Sequence, residues 1–200
     1  YLPRELRAWL CDRQCWVLQP SFLSRSFENL GSNLIASRSL LEAGATVDGP
    51  MSAASASASS TSPALQLGPT ALWSSCVQGQ IDVASMLLGA KADPSWSAVL
   101  QSGVDTGTPL HAAAAKGHTD LVRLLLSHRV PTEVAKRDGH TPLSLAAQYG
   151  HPGVVALLLH AGASDGVPPG SRSALDAARQ RTDQRHVVCQ GLLTRAAAAA

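Results

Sequence analysis

The sequence predicts an all-α solenoid of stacked helix-turn-helix units joined by short β-hairpin turns, and three observations carry that prediction. A short motif recurs at Thr70-Ala71-Leu72, Thr108-Pro109-Leu110-His111, Thr141-Pro142-Leu143-Ser144 and Ser173-Ala174-Leu175-Asp176, with steps of 38, 33 and 32 residues. A glycine stands nine residues after each of the first three starts, at Gly79, Gly117 and Gly150. An aliphatic triplet follows in each, at Met86-Leu87-Leu88, Leu124-Leu125-Leu126 and Leu157-Leu158-Leu159. Self-similarity at a fixed period of this length marks a repeat array.

Each unit reads as two short helices. A Thr hydroxyl suits the N-cap, and Pro109 and Pro142 suit the first helical position, where a missing N–H costs nothing. The alanines at 112–115 and 146–147 make the first helix thin, so neighbours can approach closely. Gly117 and Gly150 end it, because glycine readily takes the left-handed conformation. The second helix carries Leu121, Val122, Leu125 and Leu126 in one unit and Val154, Val155, Leu158 and Leu159 in the next, at helical spacing. Helices this short do not stand alone in water, so stacking must stabilise them. In the last unit Thr182 replaces the glycine and Leu192-Leu193 comes two residues late, which implies a small insertion.

These motifs resemble the ankyrin repeat family. Thr141-Pro142-Leu143-Ser144-Leu145-Ala146-Ala147-Gln148-Tyr149-Gly150-His151 is similar to the family pattern TPLHxAAxxGH. Thr108 to Ala113 with Gly117-His118 matches it too, and Leu158-Leu159-His160-Ala161-Gly162-Ala163 matches the LLxxGA ending. The resemblance is strongest over 105–164.

The resulting division has eight parts. Residues 1–20 form a capping helix or the tail of an upstream segment, and 21–49 a degenerate unit ending in Leu40-Leu41-Glu42-Ala43-Gly44-Ala45. A Ser/Ala-rich flexible insertion fills 50–67, since such a stretch cannot bury a core. Repeats follow over 68–104 (with a hairpin insertion near Trp96), 105–137 and 138–170. A C-terminal capping repeat spans 171–195, and an alanine tail 196–200. Starting at Tyr1 and ending in five alanines, the chain reads as a fragment cut at both ends, so any flanking domain would lie outside these residues.

Composition excludes several functions. Formal net charge is only +2 and charged residues make up 15%, so no polyelectrolyte character points to nucleic acid. No apolar run approaches the roughly 20 residues of a membrane span. Four cysteines, at 11, 15, 76 and 189, are too few for a disulfide scaffold and read as free thiols in a reducing compartment, cytoplasm or nucleus. There is no GxSxG, P-loop or HExxH motif and no marked carboxylate pair, so no enzyme activity and no cofactor are expected. Histidines recurring once per repeat would line up rather than converge on a metal. The resemblance gives His111, His118 and His151 a structural role, with Thr70, Thr108, Pro109, Gly117, Thr141, Pro142, Gly150 completing the motif set.

The function that the resemblance implies is binding another protein, as a monomeric adaptor or scaffold, through a concave face of hairpin tips and first helices. Repeat position assigns Trp96, Asp105, Arg137, Asp138 and His140 to the tips, and Gln78, Lys116, Gln148, Tyr149 and Arg181 to the first helices. The alternative is the recognition arm of a larger enzyme whose catalytic domain lies outside these residues. Trp73, at the tetrad histidine position, reads as core. Trp96 reads either as an exposed anchor or as a ring folded back over an apolar edge. Arg172, Arg179, Arg181 and Arg185 read as the solvated face of an end cap in preference to an anionic-partner site. Lys91 and Arg129 stand where Gly44 and Gly162 stand in other units, which predicts strained left-handed backbone at both.

Overall fold

A computed structural model describes residues 48, 70–99, 105–165, 170, 172–181 and 183–198. The N-terminal helix, the degenerate unit up to 47, the Ser/Ala-rich insertion, Cys11 and Cys15 lie outside the described residues.

Eight helices occur among the described residues, in four consecutive pairs: α1 (Ala71–Gln78) with α2 (Ile81–Gly89), α3 (Pro109–Lys116) with α4 (Thr119–Ser127), α5 (Pro142–Gln148) with α6 (Pro152–His160), and α7 (Ala174–Arg179) with α8 (Gln184–Ala197). The first helices pack in a row, α1 on α3 on α5 on α7. The second helices form a parallel row, α2 on α4 on α6 on α8. A two-stranded antiparallel ribbon, β1 (Ala98–Val99) with β2 (Asp105–Gly107), is the only regular strand pairing among the described residues.

The caps fix the register. Thr70 Oγ1 accepts the Trp73 amide at 3.2 Å, and Thr141 Oγ1 accepts the Ser144 amide at 3.1 Å while Ser144 Oγ accepts the Thr141 amide at 2.9 Å. At Thr108 the returning partner is His111, whose Nδ1 accepts the Thr108 amide at 3.1 Å. Each reciprocal pair satisfies donors that a helix start leaves free. At the other end of the first helices Gly79, Gly117 and Gly150 take φ of 79°, 76° and 70°.

With the caps in register, Leu72, Leu110 and Leu143 fall at one level and are all buried, as are Leu87, Leu121, Leu125, Val154, Val155 and Leu158 between the rows. Burying each Leu is worth about 1.5–3 kcal/mol, which a lone helix pair could not realise. Ala113, Ala114, Ala146 and Ala147 are completely buried and let the first helices approach closely. Trp73 packs half-buried against this core, its indole Nε1 closed off without a hydrogen-bond partner among the described residues. Lys91 and Arg129 have φ of 66° and 57°, so the strained positions inferred from repeat alignment are left-handed.

Candidate interaction surface

Three histidines tie each pair to the one before it. His118 Nε2 lies 3.3 Å from the Val77 carbonyl, His151 Nε2 3.1 Å from that of Ala115, and His186 Nε2 3.0 Å from that of Gln148. A carbonyl only accepts, so Nε2 carries the proton in all three. Each ring also closes over the preceding glycine: a Cβ added at Gly79, Gly117 or Gly150 would stand 2.5–2.7 Å from a ring atom of His118, His151 or His186 respectively. Sequence reasoning missed His186. The signal was the late second half of the last unit: His186 stands 13 residues after Ser173, where His151 stands 10 after Thr141.

Carboxylates latch the turns. Asp105 Oδ2 accepts the Arg137 amide from the next turn at 2.8 Å, while its Oδ1 accepts the Gly107 amide at 2.8 Å and the Ser97 hydroxyl at 3.2 Å. Partial burial works against its charge. The amides of Arg137 and Gly107, with Ser97 and Lys136, outweigh that and hold its carboxyl below the ordinary range. Glu133 accepts the Ser164 amide at 2.8 Å, and Asp48 repeats this two units earlier on the Asp93 amide at 3.0 Å. Asp165 receives the Ser173 hydroxyl at 3.0 Å and the amides of Ala174 and Leu175, a second cap on α7. None of these latches is marked by sequence spacing alone.

Several residues assigned to the surface by repeat position are placed differently. His140 is turned inward: it is buried, with Nδ1 3.4 Å from Ser144 Oγ and its amide on Asp138 Oδ1 at 3.1 Å. Its position beside the cap of α5 removes it from the accessible tip. Trp96 is half-buried with Nε1 shut off from solvent and unpartnered among the described residues, so the ring folds back. Gln148 is half-buried and its carbonyl is taken by His186. Asp105 is spent on the latch. Asp138 is exposed but tied to Lys136 Nζ at 3.2 Å. Burial opposes its charge, yet the His140 amide and Lys136 keep its carboxyl below the usual range.

What remains exposed is ordered by the caps. Gln78 and Lys116 are the last residues of α1 and α3, Tyr149 directly follows α5, and Arg181 lies just beyond α7. All four are exposed, Tyr149 by 50%, and each stands eight residues after its cap. Because the first helices pack side by side, equal register puts these side chains in one row. At helix spacings of about 10 Å the row runs roughly 30 Å. Arg137 is exposed at the turn beside it, with its backbone held by Asp105.

Among the described residues no three His, Cys, Asp or Glu side chains converge as metal ligands, and no helix is long and apolar enough to cross a membrane. An open groove between the first two turns, under Gly79, Ile81 and His118, contains a single carboxylate, Asp120. Cys76 is buried and its thiol is pushed up to about 12 by that burial, against a weaker opposing contact from Ser75.

A row of short helix pairs, capped by Thr, ended by left-handed glycines and locked by histidines, defines a helical repeat protein. Residues 97–167 match the family model described as ankyrin repeats (3 copies), and the helix pairs at 71–89 and 174–197 continue the same stack on either side. Residues 97–167 are thus ankyrin repeats. Ankyrin repeats are generally protein–protein interaction modules. No curated protein matches the chain.

Proposed function

We propose that this chain is an adaptor or scaffold module that binds a partner protein along the row Gln78, Lys116, Tyr149 and Arg181, with Arg137 at its edge. One observation carries the reading: four successive repeats each hold one exposed side chain at the same register, chemically different from step to step, while the core positions around it, and the caps of the first three, are buried. Variation without a packing role is what a recognition surface needs, and Tyr and Arg are types that anchor interfaces. A rigid row on a solenoid also costs little ordering on binding.

Affinity capture from a cell lysate with two baits of matched stability tests this, the wild-type chain beside Arg137→Ala/Tyr149→Ala. A protein held by the first and lost from the second is the expected result. Equal retention by both baits would move the interaction off this row.

A further inference from the structure

The charges along the row are unequally accounted for. Every carboxylate on the hairpins and first helices from 105 to 181 already has a partner: Asp105 in the Arg137 latch, Asp138 on Lys136 and the His140 amide, Asp176 on Arg179 at 3.4 Å and Glu133 on the Ser164 amide. Asp165 is likewise consumed in capping α7. The cations are not so matched. Lys116, Arg137 and Arg181 are exposed and their side chains meet no carboxylate among the described residues. Of the four C-terminal arginines, Arg179 is paired and Arg172 Nε donates to the Asp138 carbonyl at 3.1 Å. Arg181 differs from them, because it stands in the row. Of the remaining carboxylates, Asp82 and Asp120 lie in the first turns of the second helices and Asp183 stands at the N-cap of α8, 3.8 Å from His186 Nδ1; the positive end of a helix favours all three.

The row therefore presents an aromatic ring, half exposed, between two unneutralised cations one repeat away on either side, with a third at the turn. We infer that the partner is an extended acidic protein segment, whose Asp or Glu side chains meet Lys116, Arg137 and Arg181 while an apolar side chain covers Tyr149. About nine or ten extended residues span the roughly 30 Å of the row. Long flexible cations and a central ring suit carboxylates spread along a strand. Groups converging on one phosphate would instead be clustered, whereas Lys116 and Arg181 stand one repeat away on opposite sides of Tyr149. This inference rests on the row being the binding surface.

The test is selection of a random twelve-residue peptide display library on the full chain. Two variants run beside it: Lys116→Glu/Arg137→Glu/Arg181→Glu, and Tyr149→Ala. All these side chains are exposed, so the variants should fold, and circular dichroism with a urea titration checks that they do. The expected result is a pool enriched in Asp and Glu around an apolar residue. Its peptides should bind the triple variant at least about tenfold more weakly, and affinity should fall as salt rises beyond ~0.15 M. The triple variant should itself select a Lys/Arg-rich pool. A pool of neutral composition that is lost with Tyr149→Ala keeps the row as a binding surface and overturns the acidic partner. A pool indifferent to both variants, or no enrichment at all, overturns both readings. A labelled oligothymidylate that binds the row as tightly as the best peptide also overturns the inference, in favour of nucleic acid.

Discussion

His151 lies across Gly117 like a bolt: its Nε2 donates to the Ala115 carbonyl at 3.1 Å, and a Cβ at Gly117 would stand 2.5 Å from its Nδ1. The same contact recurs as His118 on Gly79 and His186 on Gly150. Two demands meet at each glycine, a left-handed backbone and no room for a side chain.

Those demands can be separated by substitution. Gly162 is also left-handed, with φ of 88°, but a Cβ there would meet nothing within 4 Å. Gly162→Ala should cost about 1 kcal/mol, the backbone penalty alone. Gly117→Ala should cost about 2–4 kcal/mol, since the ring must also move. His151→Ala combined with Gly117→Ala should cost less than the sum of the two single changes. Urea midpoints measure all four, and equal losses for Gly117→Ala and Gly162→Ala would remove the bolt.

Arg129 and Lys91 give the opposite sign. Both hold the left-handed conformation with a Cβ, at φ of 57° and 66°. Replacing Arg129 with Gly should stabilise the chain by about 1 kcal/mol, because relief of backbone strain exceeds the added freedom of the unfolded chain. A lower urea midpoint for Arg129→Gly would contradict this.

Much of this architecture is legible in the sequence, and the reasons are local. A Thr before Pro caps a helix whatever surrounds it, and a glycine nine residues later ends it. The left-handed backbone at Lys91 and Arg129 follows from aligning them with Gly162. What depends on the neighbouring repeat is not legible. The amide of Arg137 meets Asp105 from 32 residues away, and nothing in either segment alone announces it. His140 and Trp96 sit in turns, where polarity suggests exposure, but packing against the adjacent cap draws His140 inward and the Trp96 ring folds back. His186 escaped because α8 starts early, two residues ahead of the histidine rather than one after it.

Acid should weaken the stack before the carboxylates titrate. His111 is 1% exposed, and burial lowers its pKa from 6.5 to about 4, with the backbone at His140 and Val134 opposing. Burial also lowers the pKa of His140 and His151. Between the ordinary histidine pKa and about 4 the unfolded chain takes up protons that the folded chain refuses. Stability therefore falls as pH drops through that window, by up to about 3 kcal/mol for His111. The urea midpoint of His111→Gln, followed from pH 7 to pH 4, should fall by less than that of the wild type. Parallel profiles would assign the acid sensitivity elsewhere.

Thiol chemistry offers an independent reading of the core. Cys76 is completely buried with its thiol pushed up to about 12, and burial raises the Cys189 thiol as well. Thiolate is the reactive form, so neither should alkylate in the folded protein. Iodoacetamide followed by peptide mass mapping should find both unmodified until urea reaches the unfolding transition. Rapid labelling of Cys76 without urea would mean that α1 is open.

The central claim is that the exposed row on the first helices receives the partner, and amide hydrogen exchange of the complex addresses it most directly. Exchange of the chain alone would be compared with exchange of the chain bound to whatever the wild-type bait retains. The account predicts new protection at the ends of the first helices, around 115–117, 148–150 and 179–181, and at the 136–140 turn, with α4 and α6 unchanged. Protection confined to those second helices, with the row exchanging as in the free chain, would contradict it.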